Sequence, residues 1–258
     1  MSRLVAVIGA AALAASFAAP VAAQSEPAMP VVINLGCDAF EATPNATGSL
    51  EVLTGATVVV TLCSNPTTGF SWSAPATSDA AVATVSGWME VGPTSDAPGA
   101  PGSVQVSIDA VAAGATTISA SYDQPWEGGQ KGAWTAELAL TVRDGVEVEI
   151  GCDAFGEQAN AVQAVGIAAG QAVVLHLCSN PTTGFSWSDA VSSDPAVVSV
   201  GASSFLAPAP GMMGAPGAEH IVLVGEAAGS ATVTASYDQP WDGGTKGAWT
   251  VELTVTVS

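Results

Sequence analysis

From residue 31 onward, the chain sustains no helical spacing of apolar positions over three turns. It alternates apolar and polar residues in short, β-branched runs broken by Gly, Pro, Asp and Ser, the pattern of half-buried strands. In the first half, Val31–Gly36, Ala56–Cys63, Phe70–Ala74, Val82–Trp88, Ser103–Val111, Ala115–Tyr122 and Ala133–Val142 read as strands. The second half repeats them as Val146–Gly151, Ala172–Cys178, Phe185–Asp189, Ala196–Val200, His220–Val224, Ala231–Tyr237 and Ala248–Val257. Short strands at such spacing predict an all-β chain of two tandem immunoglobulin-like antiparallel β-sandwiches.

The two halves are copies of one module. Cys63 to Ser73 reads CSNPTTGFSWS and Cys178 to Ser188 reads the same, an offset of 115 positions. That offset also carries Cys37 to Cys152, Gly55 to Gly170, Asp123 to Asp238, Trp126 to Trp241 and Trp134 to Trp249. Most of the stretch from Ala74 to Ser119 differs from its counterpart, so the identical islands stand out against a diverged background. The expected modules are residues 31–143 and 146–258, joined by Arg143-Asp144-Gly145. Three residues with an Asp-Gly turn signal make no long tether, so the modules are expected to sit end to end with little freedom.

Ahead of them, residues 1–23 have the form of a cleaved export signal. Arg3 gives the positive end, Leu4 to Phe17 the apolar run, and Val21-Ala22-Ala23 the small-residue cleavage site. The run is short for a membrane span and Pro20 follows it, so no span is expected in the mature chain. Gln24 to Pro30 would be a frayed leader, and a periplasmic or secreted monomer is expected. Charged residues are only 10% of the chain and 23 of them are acidic. Without Arg3 the cations are Lys131, Arg143 and Lys246, leaving a net charge of −20. Such a chain does not suit nucleic acid, whose phosphates need Lys and Arg, nor an anionic membrane surface. An acidic coat that keeps an exported protein soluble accounts for it. Four cysteines in an exported chain read as two disulfides. Of the three pairings, the repeat favours Cys37–Cys63 and Cys152–Cys178. No CxxC spacing supports zinc or thiol redox chemistry.

Three repeated loops are the candidate functional sites. In Asn65-Pro66-Thr67-Thr68-Gly69, followed by Phe70, Asn caps the turn, Pro fixes φ and Gly permits a positive φ. This reading holds two hydroxyls out on a stiff, hairpin-like tip. Its copy is Asn180-Pro181-Thr182-Thr183-Gly184, followed by Phe185. The second loop is Gln124-Pro125-Trp126, copied in Gln239-Pro240-Trp241. A rigid loop Trp is a typical binding anchor. The third is Gly99-Ala100-Pro101-Gly102, matched by Gly214-Ala215-Pro216-Gly217. In a sandwich of this strand order the three loops converge on one end. Trp72 and Trp134 are expected in the core.

These residues resemble the chagasin-type inhibitors of papain-like cysteine proteases. The resemblance rests on SNPTTGFSW, a Gly-rich loop and a Pro-Trp loop, and it covers both modules nearly end to end. It implies that the loops form a wedge entering the protease cleft. Thr67 and Thr68 would lie against the catalytic Cys–His pair without offering a cleavable bond. Trp126 would pack on an aromatic wall, and Gly99 to Gly102 would brace the other side. Asn65, Pro66 and Gly69 would set the loop shape. Thr182, Thr183, Trp241 and Gly214 to Gly217 would repeat these roles, so one or two proteases per chain are the implied partners. The family usually carries Arg where this chain has Gln124 and Gln239, which removes a charge and a bidentate donor. It also usually reads Gly-x-Gly-Gly where this chain has Gly-Ala-Pro-Gly, so that Pro101 and Pro216 remove an amide donor.

Nothing points to catalysis or a cofactor. Gly69-Phe70-Ser71-Trp72-Ser73 lacks the final Gly of a nucleophile elbow. His176 and His220 belong to the second module alone, opposite Thr61 and Gln105 of the first, so a site common to both cannot use them. His176 reads as a paired sheet residue. No EF-hand or other metal spacing exists. Two readings compete with inhibition: an envelope module binding carbohydrate or protein through the same loops, and a structural tandem spacer.

Overall fold

The computed structural model describes residues 30–93, 95, 97, 99–208 and 214–258. The expected signal and most of the leader lie outside the described residues. Module one runs β1 (Val31–Leu35), α1 (Cys37–Ala42), β2 (Asn45–Leu53), β3 (Thr57–Ser64), β4 (Ser71–Trp72), β5 (Ala76–Thr77), β6 (Ala83–Val91), β7 (Gly102–Ala110), β8 (Gly114–Asp123) and β9 (Trp134–Arg143). Module two repeats it as β10 (Gly145–Ile150), α2 (Cys152–Glu157), β11 (Asn160–Ile167), β12 (Ala172–Ser179), β13 (Ser186–Trp187), β14 (Val191–Ser192), β15 (Val198–Leu206), β16 (Gly217–Gly225), β17 (Gly229–Asp238) and β18 (Trp249–Val257). Each module is a two-sheet sandwich, ordered β1-β3-β7-β6 over β2-β9-β8-β4 in the first and equivalently in the second. The pairs β1–β3, β2–β9, β10–β12 and β11–β18 are parallel; the remaining pairs are antiparallel. Both sandwiches are therefore mixed at one edge of each sheet, where a wholly antiparallel arrangement was expected.

Besides the two-residue β5 and β14, two elements per module escaped the periodicity. Strand β2, NATGSLEVL, is an edge strand in which only Leu50 and Val52 are buried, so its apolar signal is two residues long. The six-residue α1, CDAFEA, is shorter than any helical repeat can register. It seats a fully buried Phe40, which stacks 5.1 Å from Trp134 and tilts 5.3 Å from Trp72. Tyr122 continues this layer, 4.8 Å from Trp134, 5.2 Å from Trp72 and 5.5 Å from Phe70. An aromatic layer thus fills the loop end of the core, and Phe155, Trp187, Trp249, Tyr237 and Phe185 repeat it. Aromatic pairs at these separations add roughly 0.5–1.5 kcal/mol each beyond area burial. The Cys37–Cys63 and Cys152–Cys178 bridges tie the start of each short helix to the end of the strand leading into the NPTTG loop. A loop of 26 residues corresponds to about 3–4 kcal/mol of chain-entropy stabilisation.

The modules do not sit end to end. Strands β1 and β2 of module one lie against the outer face of the β10-β12-β16-β15 sheet. That face carries Ala172, Val174, Val222 and Val224, all buried, with Leu53 of module one packed on them. The same register positions in module one are Thr57, Val59, Ser107 and Asp109, a face that no second module covers. The short join is held from both sides: Thr54 Oγ1 donates to Asp144 Oδ1 at 2.8 Å, and Arg143 pairs with Glu51 at 2.9 Å.

Candidate binding edge

Each NPTTG segment is wound by its own side chains. Asn65 sits as the cap of a one-turn 3-10 helix, Pro66–Thr68, with Pro at its first position and Gly69 closing it at φ 79°. The Asn65 Oδ1 accepts from Thr67 N at 3.3 Å and from Thr67 Oγ1 at 2.6 Å. Thr68 Oγ1 donates to the Asn65 carbonyl at 2.6 Å. Both threonine hydroxyls are turned back into the loop rather than held out as free donors, which corrects the sequence expectation. Each keeps only acceptor capacity for a partner. The hairpin-like tip is instead a helical turn. Pro66, Thr67 and Thr68 are all exposed.

The other two loops are fastened to this one. Asn65 Nδ2 donates to the Gly99 carbonyl at 3.1 Å, binding the NPTTG tip to the Gly-rich loop, where Gly99 stands at φ 80°. Trp126 lies over Gly69. A Cβ on Gly69 would fall 2.9 Å from the indole Cη2, so glycine is needed there for room as well as for its positive φ. Trp126 nonetheless stays 51% exposed, so one flank packs inward and the rest is open. Beneath, the Asn65 N–H donates to the Tyr122 hydroxyl at 2.8 Å, joining the tip to the aromatic layer. Module two repeats every one of these arrangements: Asn180 Nδ2 donates to the Gly214 carbonyl at 3.1 Å, a Cβ on Gly184 would fall 2.8 Å from the Trp241 indole, and the Asn180 N–H donates to the Tyr237 hydroxyl at 2.7 Å. The three predicted loops do converge, and Asn65 and Asn180 are the knots.

The Gln-Pro-Trp loops are self-supporting. Gln124 Oε1 accepts from the Gln130 N–H at 3.0 Å, and Lys131 Nζ donates to the Gln124 carbonyl at 2.5 Å. Gln124 therefore braces its own loop, and Gln239 does the same through Thr245 and Lys246. Sequence reasoning overlooked Asp123 and Asp238. Asp123 Oδ1 accepts from Gly132 N–H at 2.6 Å, and Oδ2 accepts from Ser121 Oγ at 2.8 Å. The Gly132 amide is the main reason its carboxyl titrates below the ordinary range, and Gly247 does the same for Asp238. It also assigned Tyr122 and Tyr237 only to strand ends, although their hydroxyls hold the tips. Identity of Tyr-Asp in both modules was the available signal. Trp72 is buried as expected and donates from Nε1 to the Cys63 carbonyl at 2.8 Å, while Trp134 is only half-buried within the layer.

Three loops are thus cross-linked at one end of each sandwich, the place where β-sandwich modules commonly carry binding residues. Among the described residues, no cluster of His, Cys, Asp and Glu has the arrangement of a metal site, and no helix is long and apolar enough to cross a membrane. Residues 51–142 and 167–257 match the Chagasin family peptidase inhibitor I42, and the chain belongs to that family. Its members are peptidase inhibitors, and this chain is not an enzyme. Chagasin of Trypanosoma cruzi is 35% identical over 81 residues, covering 30% of this chain and 73% of that protein. Among solved structures, the cysteine protease inhibitor EhICP2 of Entamoeba histolytica aligns at 18% identity and TM-score 0.36, over 43% of this chain and 96% of that one. PbICP-C, solved in complex with falcipain-2, aligns at 20% identity and TM-score 0.37, over 44% and 100%.

Proposed function

We propose that the chain is an exported, monomeric, two-headed inhibitor of papain-like cysteine proteases. Each head enters a protease cleft with its three loops. The observation that carries this is the cross-linking of those loops: Asn65 to Gly99 and Gly69 to Trp126 in one module, Asn180 to Gly214 and Gly184 to Trp241 in the other. A tip wound before binding loses little conformational entropy on docking, so a small convex surface suffices for tight association. Thr67 and Thr68, with Thr182 and Thr183 in the second head, would meet the catalytic pair. They present hydroxyls already engaged and a proline-stiffened backbone rather than an extended strand that a nucleophile could cleave. Trp126 and Trp241 would supply the apolar anchor, with Phe70 and Phe185 supporting the tips from behind. Pro101 and Pro216 stiffen the flanking loop.

Titrating papain with the folded protein tests this reading. Activity should fall stoichiometrically, with up to two enzymes bound per chain. Full protease activity at micromolar excess of the folded inhibitor would refute it. A change in tryptophan fluorescence on adding envelope glycans, with protease activity untouched, would favour the carbohydrate-binding alternative instead.

A further inference from the structure

His176 and His220 face each other across β12 and β16, where module one has Thr61 facing Gln105. They lie on the outer face of their sheet, yet they are only 4% and 2% exposed. Module one covers them. Glu147 Oε1 is 3.1 Å from His176 Nδ1, His176 Nε2 is 2.9 Å from His220 Nδ1, and His220 Nε2 is 3.0 Å from the carbonyl oxygen of Glu51 in module one. These groups form an unbroken chain from one module to the other.

Counting protons shows what the chain requires. Three contacts in series need three protons. The Glu51 carbonyl can only accept, so His220 Nε2 must donate. An ionised Glu147 with two neutral imidazoles supplies two protons and leaves one contact without any. One further proton, on Glu147 or on either imidazole, completes all three. A second extra proton either puts two hydrogens across a single contact or, with Glu147 protonated on Oε2, leaves an imidazolium buried without a carboxylate to balance it, and either state loosens the joint. We propose that Glu147, His176 and His220 form a one-proton clamp that fastens module one to module two, closed when the trio holds one shared proton and loosened when it holds none or two.

The surroundings fit a neutral chain. Burial raises the Glu147 carboxyl and Glu149 on the same strand adds to the rise, whereas burial lowers both imidazoles. All three directions disfavour separated charges in the buried trio. Of the other strands packed here, β2 brings Glu51, whose carboxylate is paired with Arg143, and β16 brings Glu219, which is raised by burial. Strand β15 sets Ser204 opposite His220, and β1 brings no titratable side chain.

The pH dependence follows from linkage. In a released joint, Glu147 would titrate near 4.3 and the histidines near 6.5, so the trio would hold no proton above about pH 7 and two below about pH 6. Closing the joint therefore takes up a proton on the alkaline side and expels one on the acid side. Closure is strongest around pH 6.5 and weakens in both directions. The clamp sets how firmly the two binding edges are held relative to one another, whatever those edges bind.

Small-angle scattering of the full chain at about pH 5, 6.5 and 8.5 tests the proposal. The maximum dimension should be smallest at the middle value. The double variant His176→Thr/His220→Gln, which installs the pair that module one uses, should remove the pH dependence. In Glu147→Gln the amide donates permanently to His176 Nδ1, so the alkaline loosening should vanish and the acid loosening remain. A flat wild-type profile, or an unchanged two-sided profile in the double variant, would overturn the clamp. If the double variant does not fold, imidazole nitrogen NMR of the wild type decides. Coupled titration supports the clamp, and two independent histidines with ordinary midpoints overturn it.

Discussion

The loop edges and the outer sheet faces of the two modules have diverged to opposite degrees. At the edges, twelve consecutive residues from Leu62 to Ser73 are identical to Leu177 to Ser188, and the Asn65 and Asn180 contacts agree to about a tenth of an ångström. On the outer faces, Thr57, Thr61, Gln105, Ser107 and Asp109 of module one correspond to Ala172, His176, His220, Val222 and Val224 of module two. The frame beneath is the same, so fold alone dictates neither outcome. The identity of the edges fits the proposed function, in which each presents the same surface to a protease. The faces differ because only one of them is covered by its neighbour. A repeated module thus separates what the fold requires from what its surroundings require.

The comparison breaks most sharply at the tips. Thr68→Arg with Thr183→Arg puts a bulky cation on each exposed turn and should lower protease inhibition by about a thousandfold or more, with the thermal midpoint nearly unchanged. Either substitution alone should halve the binding stoichiometry, as read by active-site titration. A midpoint that collapses, or inhibition that survives the double change, would sever the edge from the function.

Next comes the covered face. Val222→Asp buries an unpaired carboxylate against module one and should cost about 3 kcal/mol or more. Ser107→Asp, its partner position in module one, should stay within about 0.5 kcal/mol. Denaturant unfolding of both variants measures the contrast, and equal costs would contradict the covered-face explanation.

Smaller effects sharpen the edge. Gly69→Ala forces a side chain into a positive φ and against Trp126, so inhibition by module one should fall about tenfold at a stability cost of about 1–2 kcal/mol. A module-two-inactive background, Thr183→Arg, isolates this readout. The smallest effect is the acid dependence of Asp123. Its folded carboxyl titrates below the ordinary value, so its support of the Gly132 amide is complete above that value and is lost as pH falls through the lower, folded one. Asp123→Asn should lower protection of the Gly132 amide in hydrogen exchange near neutrality, where the wild-type carboxylate is charged, and the two proteins should converge below about pH 4.

Much of this was legible beforehand, for identifiable reasons. Strands β3, β7 and β8 announce themselves because β-branched residues alternate along them. The loops were legible because Pro, Gly and Asn restrict backbone angles locally, and the disulfide pairing followed from the repeat. Strand β2 was not legible, since its pairing with β9 supplies what its own two buried residues cannot. The threonine hydroxyls were misjudged because their bonds run to Asn65, and a list of polar residues does not say which of them satisfy one another.

The sequence by itself determined the module, its duplication, its staples and the three loops, because those depend on local backbone preference and on alternation. Only the tertiary structure decided that Asn65 ties two loops together, that Gly69 makes room for Trp126, and that one module lies on the face of the other. Those are contacts between residues far apart in the chain. His176 and His220 mark the difference best: as letters they were two unmatched histidines, and the covering module makes them a buried chain of proton donors and acceptors.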